Sequence, residues 1–158
     1  MIFVTVGSQK FQFDRLLEKL DELCEKKIIE DKVFAQTGYC EYIPKNFEVQ
    51  DFLDREEFGS YMKQADLVLT HAGTGAIMGG LKAGKKVIAV PRLEKYGEHV
   101  DDHQVQIVKE FEEMELIEAC YDLDKLEKVI EKCKSTEYEK YISNTDKIVA
   151  SLEEFINN

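Results

Sequence analysis

Asp66-Leu67-Val68-Leu69-Thr70-His71-Ala72-Gly73-Thr74-Gly75-Ala76-Ile77-Met78-Gly79-Gly80 reads as a buried strand, a glycine-rich turn and the first turns of a helix. The apolar run from Leu67 stops at His71, and the glycines at 73 and 75 let the backbone turn tightly. Residues 75–83 then suit a helix closed by Gly84 at its C-cap. A second apolar run at 87–90 ends at Pro91, which cannot continue a strand ladder. Strand, glycine turn, helix and strand in that order are the unit of a parallel sheet.

The same alternation extends outward in both directions. Residues 2–6 read as a buried strand that stops at Gly7-Ser8. Over residues 13–26 the apolar Phe13, Leu16, Leu17, Leu20, Leu23 and Cys24 recur at helical spacing. Residues 32–36 form a second strand, 47–53 a third extended stretch, and 56–65 a short helix. Beyond Pro91 come a helix over 102–113, a short strand over 116–120 and amphipathic helices over 123–133 and 138–156. The expectation is an α/β chain over residues 1–158: one Rossmann-like domain, a mainly parallel sheet with helices on both faces. In such sheets ligands bind beyond the C-terminal strand ends. Gly7-Ser8, residues 51–53, residues 71–76 and residues 91–104 all fall there.

Bulk properties narrow the function. With 21 basic against 32 acidic residues the net charge is −11, which argues against sequence-independent nucleic-acid binding. The four cysteines, Cys24, Cys40, Cys120 and Cys133, have no paired spacing and read as reduced thiols rather than a metal or disulfide framework. The opening residues read as a core strand and not as a signal peptide, and no run reaches the ~18 apolar residues of a membrane span.

Two stretches carry chemistry. The turn at His71, Gly73, Thr74, Gly75 and Ala76 opens a helix whose free N–H groups and positive end suit a diphosphate, with the Thr74 hydroxyl as an added donor. Arg92 and the Lys85-Lys86 pair are candidate cationic helpers. The turn is not a Walker loop, because no Gly-Lys-Ser/Thr follows. Gly73, Gly75 and Gly79 loosely match a dinucleotide fingerprint, but that fingerprint belongs to the first strand–turn–helix of a domain, so a nicotinamide enzyme is a secondary reading. The second stretch, residues 92–104, gathers Arg92, Lys95, Glu98, His99, Asp101, Asp102, His103 and Gln104. Carboxylate, amide and imidazole groups of this kind recognise sugar hydroxyls. A zinc site from His99, Asp102 and His103 lacks a further His or Cys ligand in reach, so neither a metal nor a cofactor is expected. A nucleotide-activated sugar requires both stretches, a phosphate cradle and a hydroxyl-reading loop, side by side.

Val4 to Ser8, Phe52-Leu53, Ala65-Asp66, Thr70 to Gly75, Pro91-Arg92 and Gly97 to Gln104 together resemble the glycosyltransferase family 28 C-terminal domain, the donor-binding half of GT-B enzymes. More closely, the chain resembles short, free-standing versions of that half. These include the soluble subunit of the eukaryotic dolichol-linked N-acetylglucosaminyltransferase and the PssE-like subunits of bacterial capsule and exopolysaccharide synthesis; Gly97-Glu98-His99-Val100 points to the bacterial group. The resemblance implies that backbone near Leu53 reads uracil, that Gly73 to Ala76 hold the diphosphate, and that Asp102, His103 and Gln104 hold the donor sugar. Gly7 and Ser8 would line the cleft. Many relatives carry a ribose-binding Glu where this chain has Gly79.

A single half implies a partner. The resemblance makes it a membrane-associated, acceptor-binding subunit with a lipid-linked sugar acceptor, and places this chain in the cytoplasm, recruited to the inner membrane face. The wide apolar stripe of the helix over 138–156 packs on its own domain or, as the candidate contact, on that partner. His99 and His103 are candidate general bases, since a neutral imidazole accepts a proton near pH 7; a base from the partner is the alternative. A non-catalytic adaptor with a degenerate donor site is the remaining rival, motivated by Gly79.

Overall fold

The computed structural model describes residues 1–7, 10–98 and 103–139. Six strands and five helices alternate among them: β1 (Ile2–Thr5), α1 (Asp14–Glu25), β2 (Val33–Gln36), β3 (Glu48–Gln50), α2 (Arg55–Gln64), β4 (Leu67–His71), α3 (Thr74–Lys82), β5 (Lys86–Val90), α4 (His103–Glu113), β6 (Glu118–Ala119) and α5 (Leu126–Ser135). The strands form one sheet in the order β3-β2-β1-β4-β5-β6, and every pairing is parallel. The chain starts in the middle, builds outward to β3, then crosses back to β4. The order therefore reverses between β1 and β4, and that reversal opens a crevice above their C-terminal ends.

Burial on both faces explains why the central strands are apolar without alternation. β1 and β4 are buried along their whole lengths. Ile2, Val4, Leu67 and Leu69 pack with Leu16, Leu17 and Leu20 of α1 and Leu126 and Ile130 of α5. Phe3 and Val68 point the other way, into a second core with Met62 of α2, Ile77 of α3 and Val108 and Phe111 of α4. Gly80 lets α3 sit close to β5: a Cβ there would lie 2.7 Å from Val87 Cγ2. The C-cap of α3 is Ala83, one residue before the expected Gly84, and Gly84 follows it with φ +71, the left-handed conformation that ends a helix there.

Several expectations are corrected. The extended stretch over 47–53 is a strand only at Glu48–Gln50, because this is the sheet's edge and Glu48 and Gln50 face water. The helix expected from residue 123 starts instead as a 3₁₀ turn, Leu123–Lys125, because the Asp122 carboxylate accepts the Asp124 N–H and tightens the entry. Residues 140–158 lie outside the described residues, and with them nearly all of the helix expected over 138–156. Tyr138 and Glu139 are not helical. Both are tied to their own domain: the Tyr138 hydroxyl donates to Glu118 at 2.7 Å, and the Glu139 N–H to the Glu115 carbonyl at 2.9 Å. Among the described residues no helix is long and apolar enough to cross a membrane.

Candidate donor site at the sheet's C-terminal edge

The polar residues at the strand ends are satisfied internally before any ligand is considered. Thr70 Oγ1 donates to the Thr5 carbonyl at 2.8 Å, and Thr5 Oγ1 donates to Gln36 Oε1 at 2.7 Å. These bonds lock β2, β1 and β4 in register at the edge where their loops depart. His71 is the last residue of β4 and is 5% exposed. Its ring is seated between two loops. A Cβ at Gly7 would lie 2.5 Å from His71 Nε2, and one at Gly73 would overlap Cε1. Gly7 also has φ +77, a conformation that favours glycine.

The missing side chain of Gly73 makes room for the histidine beneath it. Gly75 is exposed, and a Cβ there would meet nothing within 4 Å. Gly73 is also the N-cap of the nine-residue α3, with φ −75 and ψ 127. No side chain caps that helix, and its first turn carries no acid. By contrast, α2 is closed by a complete capping box between Asp54 and Glu57. The first N–H groups of α3, around Thr74, Gly75 and Ala76, thus face the crevice with the positive end of the helix behind them.

The sugar-side loop leaves from the neighbouring strand. Thr70 pairs with Ala89 and His71 with Val90, so the two predicted halves of the site rise from the same edge, one strand apart. His103 begins α4 and is exposed; Gln104 beside it is buried and accepts the Arg92 N–H on Oε1 at 3.0 Å. His99 and Asp102 lie outside the described residues, as does Ser8. Leu53 is half-buried beyond β3, packed against the α2–α3–α4 core. Strands β3 and β4 are three strand spacings apart, roughly 14 Å.

Two cationic expectations are corrected. Arg92 has no exposed surface, and its Nη2 donates to the Val6 carbonyl at 2.5 Å. Its guanidinium also lies 5.5 Å from the centre of the Phe13 ring. Burial lowers its pKa from the ordinary value, with Glu98 opposing that shift. Following Pro91 at the end of β5, Arg92 turns inward past β4 to tie down the end of β1; it does not face a ligand. Lys85 and Lys86 lie at the start of β5, a strand's length from the cradle. Their ammonium groups donate to the carbonyls of Lys63 and Lys134.

One pair was missed by sequence reasoning. Arg15, in the first turn of α1, forms a fork with Glu98: Nε to Oε2 at 2.9 Å and Nη2 to Oε1 at 3.0 Å. Glu98 is fully buried and also accepts the Leu93 N–H at 3.0 Å. The available signal was Arg15 itself, a cation at the positive end of a helix, where it needs a compensating anion.

Comparison with known proteins places the chain in a family and the fold among solved structures. The family model described as "Glycosyltransferase family 28 C-terminal domain" matches residues 1–157. The "UDP-N-acetylglucosamine transferase subunit ALG13" of Mus musculus is 31% identical over 117 residues, covering 68% of this chain and 10% of that protein. Its Kluyveromyces lactis counterpart is 42% identical over 52 residues, 33% of this chain and 24% of that one. This chain thus spans about a tenth of the mouse protein's length. Among solved structures, the solution structure of ALG13 superposes with a TM-score of 0.61 at 20% identity, over 88% of this chain and 87% of that one. Acinetobacter baumannii MurG gives 0.56 at 20% identity, over 84% of this chain and 41% of that one. At these identities the superpositions speak for the fold alone.

Proposed function

The chain belongs to the glycosyltransferase family 28 C-terminal domain family, and we propose that it binds a UDP-sugar as the donor-holding subunit of a two-component glycosyltransferase. The reaction is transfer of a hexose to a lipid-linked acceptor in exopolysaccharide or capsule synthesis. The observation that carries the reading is the uncapped N-terminus of α3 with open space above Gly75, set at the strand-order reversal between β1 and β4. A diphosphate there is met by backbone donors and the helix dipole. The same groups stabilise the UDP leaving group as charge develops on it, so the proposal includes no metal or cofactor. Uracil lies toward Leu53, and the sugar lies under Asp102, His103 and Gln104.

Support for the nucleotide and for the partner comes from the relatives, whose name contains both a UDP-sugar and the word subunit. In this reading a membrane-associated subunit supplies the acceptor site and recruits the chain to the cytoplasmic membrane face. His103, exposed at the start of α4, and His99 are the base candidates on this side. A base from the partner serves equally well.

The test is a titration of UDP and ADP into the isolated chain. Saturable binding with preference for UDP is expected, and equal affinity for both refutes the donor assignment. Co-expression with the acceptor subunit, followed by a panel of UDP-sugars, then separates a working transferase from an adaptor. UDP binding without turnover in the assembled pair would favour the adaptor.

A further inference from the structure

Among the described residues, the β5–α4 loop has little apolar anchorage beyond Leu93. Lys95, Tyr96 and Gly97 are exposed, and Leu93 is only half-buried. Polar ties hold it instead. At one end, Gln104 Oε1 accepts the Arg92 N–H. At the other, Gly97 with φ +68 turns the chain so that Glu98 points inward, where it meets the fork of Arg15. Gln12 Nε2 donates to the Tyr96 carbonyl at 3.1 Å, and the Arg15 guanidinium lies 4.6 Å from the centre of the Tyr96 ring. Every one of these last contacts joins the start of α1 to the loop, and the ion pair spans 83 residues of sequence. Arg15 lies in none of the stretches that carry the family resemblance.

A charge-assisted, two-bonded pair fixes direction as well as distance. Glu98 stands immediately before residues 99–102 in the chain, and His103 and Gln104 stand immediately after them. We propose that the Arg15–Glu98 ion pair is the positioning element of the sugar half of the donor site: Glu98 accepts the Leu93 N–H and Gln104 the neighbouring Arg92 N–H, so the pair sets His103 and Gln104 relative to the cradle without touching the donor. The inference rests on the UDP-sugar reading. It adds that affinity is divided between two elements: α3 holds the diphosphate, and the loop's contribution depends on a residue of α1. Because α3 makes none of these contacts, loss of the ion pair removes the sugar's share of binding and leaves the nucleotide's share.

The full chain and its Arg15→Gln, Arg15→Lys and Glu98→Gln variants are titrated with UDP and with UDP-glucose, UDP-galactose, UDP-glucuronate and UDP-N-acetylglucosamine. The sugar that adds most to UDP affinity in the unaltered chain is the probe. Expected are UDP dissociation constants within about twofold throughout, and a sugar increment cut about tenfold in Arg15→Gln and Glu98→Gln, the latter about 1.4 kcal/mol. Arg15→Lys, which keeps the charge but not the fork, restores part of the increment. Retention of the increment in folded Arg15→Gln overturns the proposal. Equal weakening of UDP and UDP-sugar also overturns it, since that is the mark of a merely structural pair. Should Glu98→Gln fail to fold, Arg15→Gln decides alone, at a side chain that is partly solvent-exposed. An unaltered chain that does not bind UDP refutes the donor reading itself. One that binds UDP but gains nothing from any sugar refutes only the positioning role.

Discussion

A side chain at residue 75 would project into open space, whereas one at residue 73 would collide with the His71 ring. Two glycines in one turn thus have separate uses, and substitution separates them. Gly75→Asp adds a carboxylate to the first turn of α3, where the helix dipole favours it by roughly 0.3–1 kcal/mol. The same carboxylate stands against an incoming diphosphate. The expected outcome is a melting temperature equal to or above that of the unaltered chain, with UDP affinity lowered by at least about tenfold, or 1.4 kcal/mol. Calorimetric titration and thermal denaturation on one preparation check both. Unchanged UDP affinity would remove the α3 N-terminus from the site.

Helix α3 offers a second contrast, between adjacent glycines. Gly79 is half-buried beside a groove of about 410 Å³ that includes Phe58 and Met62 of α2, and a Cβ there would meet nothing within 4 Å. Gly80 faces Val87 across a gap too small for a methyl group. Gly79→Ala should stabilise the chain by about 0.5–1 kcal/mol through helix propensity. At Gly80 the same gain is opposed by overpacking of about 1–3 kcal/mol, so Gly80→Ala should lose about 1 kcal/mol net. Urea denaturation midpoints should move in opposite directions. Packing therefore does not force the absence of a carboxylate at 79. The elements themselves were legible in the sequence, because strand–turn–helix units have local periods and local stop signals such as Gly84 and Pro91. The uncapped helix start after the glycine turn was legible for the same reason. The inward turn of Arg92 and the Arg15–Glu98 pair were not, since nothing within a dozen residues records a partner 83 or more positions away. The 3₁₀ entry to α5 was hidden differently: its apolar spacing fits either kind of helix, and a single Asp122 hydrogen bond decides between them.

At the scale of the molecule, the half of the sheet built first is held by one buried acid. Asp21 of α1 accepts the Tyr42 hydroxyl at 2.7 Å, the N–H groups of Lys45 and Asn46, and the Asn46 side-chain amide at 2.9 Å, fastening the long β2–β3 connection to the domain. Burial pushes its pKa up, but these donors outweigh that effect and hold the carboxyl below its ordinary value of 3.8. A depressed folded-state value contributes stability above the unfolded-state value, and the contribution is lost as pH falls through the folded-state one. Asp21→Asn should cost about 2 kcal/mol at pH 7 by leaving buried donors unpaired. Its deficit should narrow below about pH 3.8. Denaturation curves at several pH values check this; a deficit that stays constant into acid would mean that charge is not the cause.

The seat of His71 has a consequence for how this scaffold can change. One imidazole occupies the places that two Cβ atoms would take, on loops 66 positions apart in the chain. A larger residue at 7 or 73 is blocked while the ring is there. Trimming residue 71 unlocks position 73, whereas position 7 keeps its φ of +77 and still favours glycine. Divergence here has a fixed order of events, the histidine first and Gly73 afterwards, and a library that randomises those two positions should recover survivors only along that route.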